Sequence, residues 1–313
     1  MAPQQRPAIV VLGSINLDVV VELDHLPVPG ETIIAATARR NVGGKGANQA
    51  VAAQLAGADV EFVGRVGDDA NADILRSGLD AYGVGARHLY TVEGAESGVA
   101  FINVADHDNT IVVVAGANWS WQESQDDTDA LVTAADVVIC QLEVPDETIE
   151  RTARLTGGRF VLNAAPARQI SDSVLRRCDP LVVNEHELAF LVGRQIASPS
   201  DALAAQSELI ERGARSVVTT LGPDGAVWTG AGEQGVQPAP RVDVQDTTGA
   251  GDVFIGHLAT RLGSGASLSQ AVSWATAAAA CSVQVAGTHS SYPDLSRVAE
   301  ALRALPEPTP TPR

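Results

Sequence analysis

Six short runs of mostly β-branched, apolar residues punctuate the chain: 9–12, 60–63, 137–140, 160–162, 181–183 and 216–219. None alternates apolar with polar, as a strand with one wet face would. Strands that are mostly apolar without a wet face are buried on both faces, and helical patterns separate these. The pattern dictates an α/β fold with a doubly covered, mostly parallel central sheet. Ligands on such a sheet gather at the carboxyl ends of the strands, so the residues after each run carry most of the functional information.

Two stretches break the rhythm. Residues 19–21 with 32–38, and 99–104 with 110–114, are extended without intervening helices, the second pair joined by a polar turn at 105–109. They read either as edge strands or as a small β-sheet flap over a site. A late hairpin is expected at 226–228 and 235–238, followed by helices over 249–262 and 269–285. The ends, 1–7 and 305–313, are Pro-rich; the second is expected to be a disordered tail.

Charge narrows the partners. With 21 Lys plus Arg against 38 Asp plus Glu, the net charge is 21 − 38 = −17. A polyanion binder needs a basic face, so a nucleic-acid partner is excluded. No apolar run reaches the roughly 18–20 residues of a membrane helix, and no leader pattern precedes residue 9; the chain reads as cytoplasmic, without a membrane partner. Cys140, Cys178 and Cys281 have no paired spacing and read as buried free thiols.

The strongest local motif is DTTGAGD, residues 246–252, opening the helix at 253. Gly249 and Gly251 permit a tight turn, so the N–H groups of Gly249, Ala250 and Gly251 can converge on one anion at a helix N-terminus. Asp252 beside them is either a base for a hydroxyl attacking the held phosphorus or a stabilising first-turn acid. NVGGKGANQA, residues 41–50, is not a Walker loop, since Arg39 stands where its first Gly should be and Gly46 follows Lys45. It is either a tight strand-to-helix turn or a site where Lys45 and Asn48 meet a small polar ligand. In GSINLD, residues 13–18, Asn16 and Asp18 share one side of an extended segment. That pair suits vicinal sugar hydroxyls or simply faces solvent. A dinucleotide fingerprint is absent because Gly13-Ser14-Ile15 breaks GxGxxG. Asn184 and Glu187, three apart after another buried run, either start a helix or place water on Mg²⁺. His186 between them lacks a second His or Cys for a transition-metal site. TLGPDG, residues 220–225, is a turn at a strand's carboxyl end.

In this order on one α/β chain, these words resemble the ribokinase-like sugar kinase family, over about residues 9–291. GSIN with Asp18, PGET at 29–32, GGKGANQAVAA at 43–53, QLE at 141–143, NAAPA at 163–167 and DTTGAGD carry the resemblance, GGKGANQA most specifically. It implies one kinase domain over 1–313, with lid segments at about 18–40 and 98–114, that transfers phosphoryl from ATP to the 5-hydroxyl of D-ribose. By the same resemblance Asn16, Asp18, Gly44, Lys45, Gly46, Ala47, Asn48 and Glu143 would hold the sugar, and Asp252 would be its base beside the Gly249, Ala250 and Gly251 anion hole. Asn184, Glu187, Thr220, Leu221, Gly222, Pro223, Asp224, Gly225, Gly251 and Asp252 would serve ATP and Mg²⁺, with Thr276 near the adenine. A K⁺ ion would fall to Asp246, Thr248, Ser282, Val285, Gly287 and Ser291. The lids of two subunits would pair as a homodimer. Family members often carry a basic residue where Val285 stands. Kinases of deoxyribose, fructose or adenosine, and a non-catalytic sugar sensor, are the competing readings.

Overall fold

The computed structural model of the chain describes residues 6–105, 108–121, 126–230 and 232–311. In β1 (Ala8–Leu12), residues divide by parity: Ile9 and Val11 enter one apolar core, Val10 and Leu12 another. Side chains alternate across a strand, so a strand between two cores is apolar throughout. Each large aliphatic buried this way is worth about 1.5–3 kcal/mol.

The first half continues with β2 (Asn16–Glu22), β3 (Ala38–Gly43), α1 (Lys45–Leu55), β4 (Asp59–Gly67), α2 (Ala70–Asp80), β5 (Gly85–Val92), β6 (Gly98–Ala105) and β7 (Asp108–Val114). Next come α3 (Asp126–Ala134), β8 (Val137–Gln141), α4 (Asp146–Leu155), β9 (Arg159–Asn163), α5 (Asp172–Leu175), β10 (Cys178–Asn184), α6 (Glu185–Val192) and α7 (Pro199–Glu211). The chain closes with β11 (Ser216–Thr220), β12 (Ala226–Gly230), β13 (Glu233–Gln237), α8 (Ala250–Gly263), α9 (Leu268–Ser282), α10 (Leu295–Ala304) and β14 (Thr309–Thr311).

The main sheet has ten strands in the order β14-β13-β12-β11-β10-β9-β8-β1-β4-β5. From β11 to β5 every pairing is parallel, and all six apolar runs lie there. β12, β13 and β14 extend it antiparallel. Helices α1, α2, α8, α9 and α10 cover one face, and α3 to α7 the other. Small residues let α1 and α8 meet closely. A Cβ on Gly256 would press on the Ala52–Ala53 backbone, and Thr260 Oγ1 donates to the Ala53 carbonyl at 3.3 Å.

The two off-rhythm stretches form a separate four-stranded sheet, β3-β2-β6-β7, with β2 parallel to β6. Its strands differ from expectation in one place. Residues 32–37 are not a strand; pairing with β2 begins at Ala38 and runs to Gly43. Thr32, Ile33 and Ile34 have strand-like side chains, but Thr32 is exposed, Ile33 only partly buried and Ile34 94% exposed. β5 escaped the sequence pattern because it is an edge strand whose one buried residue is Leu89. Thr309–Thr311, expected in a disordered tail, pairs with β13 as a further edge strand. The three cysteines are free and buried. No described helix is long and apolar enough to cross a membrane.

Candidate active site

The carboxyl ends of β1, β8, β9, β10 and β11 open onto the segments the motifs single out. From β1 the chain turns through residues 13–15 into β2, whose first residue, Asn16, lies between Gly43 of β3 and Gly98 of β6. Asn16 is buried, and its Oδ1 accepts from Asn118 Nδ2 at 2.8 Å. Asn118 clamps the same turn by accepting from the Ile15 N–H at 2.9 Å and donating to its carbonyl at 3.1 Å. The Asn16 amide is thereby fixed in orientation, its N–H₂ group without a protein acceptor among the described residues. Asp18 lies two residues on, against Gly43, where a Cβ would overlap its carboxylate. Gly44 follows with φ 87°, a conformation that favours glycine, and caps α1.

α1 presents Lys45, Asn48 and Gln49 from its first turns, and the close α1–α8 contact brings them to Asp252. Asn48 Nδ2 donates to Asp252 Oδ2 at 3.0 Å, and Gln49 Nε2 donates to Asp252 Oδ1 at 2.9 Å. Behind Asn48, His289 Nε2 meets its Oδ1 at 2.8 Å. Glu143, just beyond β8, accepts from Ser14 Oγ at 2.5 Å and from the Lys45 N–H at 3.3 Å.

Four ionisable groups therefore share a small, partly dry volume. Burial pushes the Asp252 carboxyl up, against the lowering effects of Lys45, Gln49 and Asn48. Burial, then the neighbouring Glu143 and Asp252 charges, push Asp18 up to about 7. For Lys45 burial opposes the charge, but Asp252, Glu143 and Glu187 outweigh it and raise its pKa. Lys45 is thus the cation that lets the carboxylates coexist.

The neighbouring half of the cleft is built from backbone. Gly249, at φ 76°, caps α8. The Ala250 N–H is turned back onto the Thr247 carbonyl at 3.2 Å. Of the expected cradle, the Ala250 N–H is engaged, and the N–H groups of Gly249, Gly251 and the following Asp252 have no protein acceptor among the described residues. Asp246 accepts from the N–H groups of Thr248 and Gly287, both at 2.8 Å, tying the loop before α8 to the loop after α9. Burial works against its charge, but these hydrogen bonds win and hold its carboxyl below the usual range. Val285 donates its N–H to the Ser282 carbonyl, whereas the Ser282 and Ser291 hydroxyls donate to Ala279 and Thr288 carbonyls. The structure therefore joins Asp246, Thr248 and Gly287; it shows no hydrogen bond from these to Ser282, Val285 or Ser291.

Asn184 and Glu187 form a reciprocal capping box on α6: Asn184 Oδ1 accepts from the Glu187 N–H at 2.9 Å, and Glu187 accepts from the Asn184 N–H at 2.8 Å. One Glu187 oxygen stays free of protein partners among the described residues. The 220–225 turn after β11 closes through Leu221 N–H to the Gly225 carbonyl at 2.8 Å, with Gly222, Pro223 and Asp224 exposed. Thr276 on α9 is buried, and its hydroxyl has no partner among the described residues.

No group of three or more His, Cys, Asp or Glu that could hold a metal occurs among the described residues. An all-oxygen donor set is the kind available: one Asp246 carboxylate with carbonyls fits a monovalent cation, and the free Glu187 oxygen fits water on Mg²⁺. Sequence reasoning missed the roles of Ser14, Gln49, Asn118 and His289. Gln141 and Asn163 stand in the QLE and NAAPA motifs, where no role is legible locally. These residues are scattered, and only the fold brings them to the site.

A parallel sheet whose strand ends carry a helix N-terminus free to bind phosphate, next to a buried set of amides and carboxylates suited to hydroxyls, defines an ATP-dependent kinase of sugars or nucleosides. Residues 6–295 match the model of the pfkB family carbohydrate kinases, and the chain belongs to that family. It is 35% identical over 302 residues to the ribokinase of Haemophilus influenzae, covering 95% of this chain and 99% of that one. Over 301 residues it is also 35% identical to the deoxyribokinase of Salmonella typhi, with 94% and 98% covered. The solved structure of Arabidopsis thaliana ribokinase complexed with ribose and ATP superposes with a TM-score of 0.90 at 34% identity, covering 96% of this chain and 99% of that one.

Proposed function

We propose that the protein phosphorylates D-ribose at its 5-hydroxyl, giving D-ribose 5-phosphate and ADP. The observation that carries the reading is Asp252: buried at the head of α8, held by Asn48 and Gln49, and adjacent to the free amides of the 249–252 turn. The sugar lies against Asn16, Asp18, Gly44, Lys45, Gly46, Ala47, Asn48 and Glu143. Asp252 takes the 5-hydroxyl proton as that oxygen bonds to the γ-phosphorus; the bond to the β–γ bridging oxygen breaks and ADP leaves. Burial strengthens Asp252 as a base toward neutral pH. Gly249, Ala250 and Gly251 form the turn of the anion site, where Gly249, Gly251 and Asp252 supply the N–H groups without a protein acceptor among the described residues.

ATP is served by Asn184, Glu187, the 220–225 turn and Thr276, whose unpartnered buried hydroxyl supports a ligand contact. Mg²⁺ supplies charge neutralisation on the phosphates when bound. K⁺ is assigned to Asp246, Thr248, Ser282, Val285, Gly287 and Ser291, through carbonyls where side chains are engaged or apolar. A second copy of the chain covers the lid, where Ile111, Val112, Val113 and Val114 of β7 are all about half exposed or more. We place the enzyme in the cytoplasm, where ATP is supplied.

Deoxyribose is the second reading, favoured by the equal identity to a deoxyribokinase. The test is coupled ADP release with Mg·ATP on ribose, deoxyribose, fructose and adenosine, with and without K⁺. Ribose-selective, K⁺-stimulated turnover supports both assignments. Selectivity for another substrate moves the sugar, and ribose binding without turnover on any substrate makes the protein a sensor.

A further inference from the structure

We infer that Gln49 is a positioning residue for phosphoryl transfer: it fixes the Asp252 carboxylate by occupying Oδ1, leaving Oδ2, on the Asn48 side, to take the proton. The inference rests on the reading of Asp252 as the base.

Gln49 is fully buried on α1, and each of its polar atoms has a partner in a fixed place. One Nε2 hydrogen goes to Asp252 Oδ1 at 2.9 Å and the other to Asn163 Oδ1 at 3.1 Å. Its Oε1 accepts from Gln141 Nε2 at 2.8 Å. The amide cannot be reversed. A carboxylate only accepts, and Asn163 uses its own Nδ2 on the Val182 carbonyl at 3.4 Å, so its Oδ1 faces Gln49. Gln141 and Asn163 are the last residues of β8 and β9, so Gln49 ties the reacting group on α8 to the parallel sheet.

An amide network in a core is costly unless every member is satisfied, and a Leu or Met would fill this volume without polar atoms. The network nevertheless leaves Gln141 Oε1 buried and without a partner. Stability alone does not explain that arrangement. Holding a base in one orientation does, because misplacing a reacting group by about 1 Å can cost on the order of 10²-fold in rate. Gln49 also favours the ionised carboxylate by donating to it.

The titratable groups around Asp252 are Lys45 on α1, Asp18 on β2, Glu143 after β8, Glu187 on α6 and Tyr292 after α9, with His289 behind Asn48. Substitution at Gln49 removes none of them. Gln49→Leu is expected to lower kcat on the order of 10–10²-fold with the sugar KM little changed. The acid limb of kcat moves to higher pH, because the carboxylate loses a donor that favours its charge. In an Asp252→Asn background the same substitution adds no further loss.

Gln49→Met serves the same test if the Leu variant does not fold, with melting temperature and sugar affinity as folding controls. Full turnover in Asp252→Asn alone overturns the base and this role with it. Loss of turnover there, with kcat and acid limb unmoved in the Gln49 variant, overturns this role alone. An equal rate loss from the Gln49 substitution in both backgrounds makes Gln49 merely structural.

Discussion

The two halves of the cleft are built from different materials. The half we propose for the sugar is made of buried side chains, with Asn16, Asn48, Gln49 and Asp252 each at most 8% exposed and locked in a network of amides and carboxylates. The half we propose for the nucleotide is made mostly of turns: Thr247, Thr248, Gly251 and residues 222–224 are exposed and offer mostly backbone, with the buried Glu187 and Thr276 as its side-chain contributions. A hydroxyl-rich ligand is distinguished by which donors and acceptors it leaves unpaired, so its half demands fixed side chains. Phosphates need only convergent N–H groups, which glycine-rich backbone supplies whatever side chains surround it. On that proposal selectivity would reside in the buried half and general grip in the exposed one.

The largest effect that would sharpen this contrast belongs to Asp252, where the halves meet. Asp252→Asn should lower kcat by on the order of 10²–10⁴ while sugar affinity, read by calorimetry, persists. Wild-type turnover would remove it as the base.

Asp18 tests the buried half alone. Asp18→Asn should raise the sugar KM on the order of 10–100-fold, with the ATP KM little changed, as paired hydroxyl contacts are lost. The same substitution should stabilise the protein at high pH. The folded carboxyl titrates at about 7, above its unfolded value, so the native state binds the extra proton. Stability from that proton is present below about pH 4 and is lost as pH rises through about 7. Replacing the acid removes the loss, so the variant's melting temperature should exceed the wild type's above pH 7 and match it below about pH 4. A constant offset at all pH values would mean that Asp18 is not titrating there.

Gly249 tests the exposed half. Its φ of 76° is strained for a branched side chain, and a Cβ there would lie 3.0 Å from Thr288 Cγ2. Gly249→Val should cost on the order of 1–3 kcal/mol of strain and raise the ATP KM more than the sugar KM. Equal changes in both would erase the distinction between the halves.

The exposed half was also the more legible in sequence. Backbone sites announce themselves through contiguous glycines, so DTTGAGD could be read as a helix-capping turn from seven letters. Its detail was less legible: the Ala250 amide is engaged with Thr247, which only the turn geometry shows. The parallel sheet was equally plain, since double burial forces runs that are apolar at nearly every position. The buried half showed only its ends. Asn16, Asp18 and Asn48 sit in recognisable words, but Asn118 lies about 100 residues from the Asn16 it orients, and Gln49 reaches partners on β8, β9 and α8. Long-range pairing of this kind leaves no local spacing to read. Residues 32–37 misled for the opposite reason: branched side chains suit a strand, but a strand also needs a partner and a surface.

The smallest expected effect separates two roles for Asn184. Its side chain already caps α6, accepting from the Glu187 N–H, while Glu187 returns the bond. Asn184→Ala removes one half of this box and should cost about 1 kcal/mol of stability, measurable by denaturant unfolding. If the ATP KM stays at its wild-type value, the pair only builds a helix at the end of β10, and the exposed half grips nucleotide mostly through backbone. If the ATP KM rises as well, the capped Glu187 oxygen and its free neighbour hold the Mg²⁺ water shell in register. One buried carboxylate then belongs to the nucleotide half, and the division of materials between the halves is incomplete at that point.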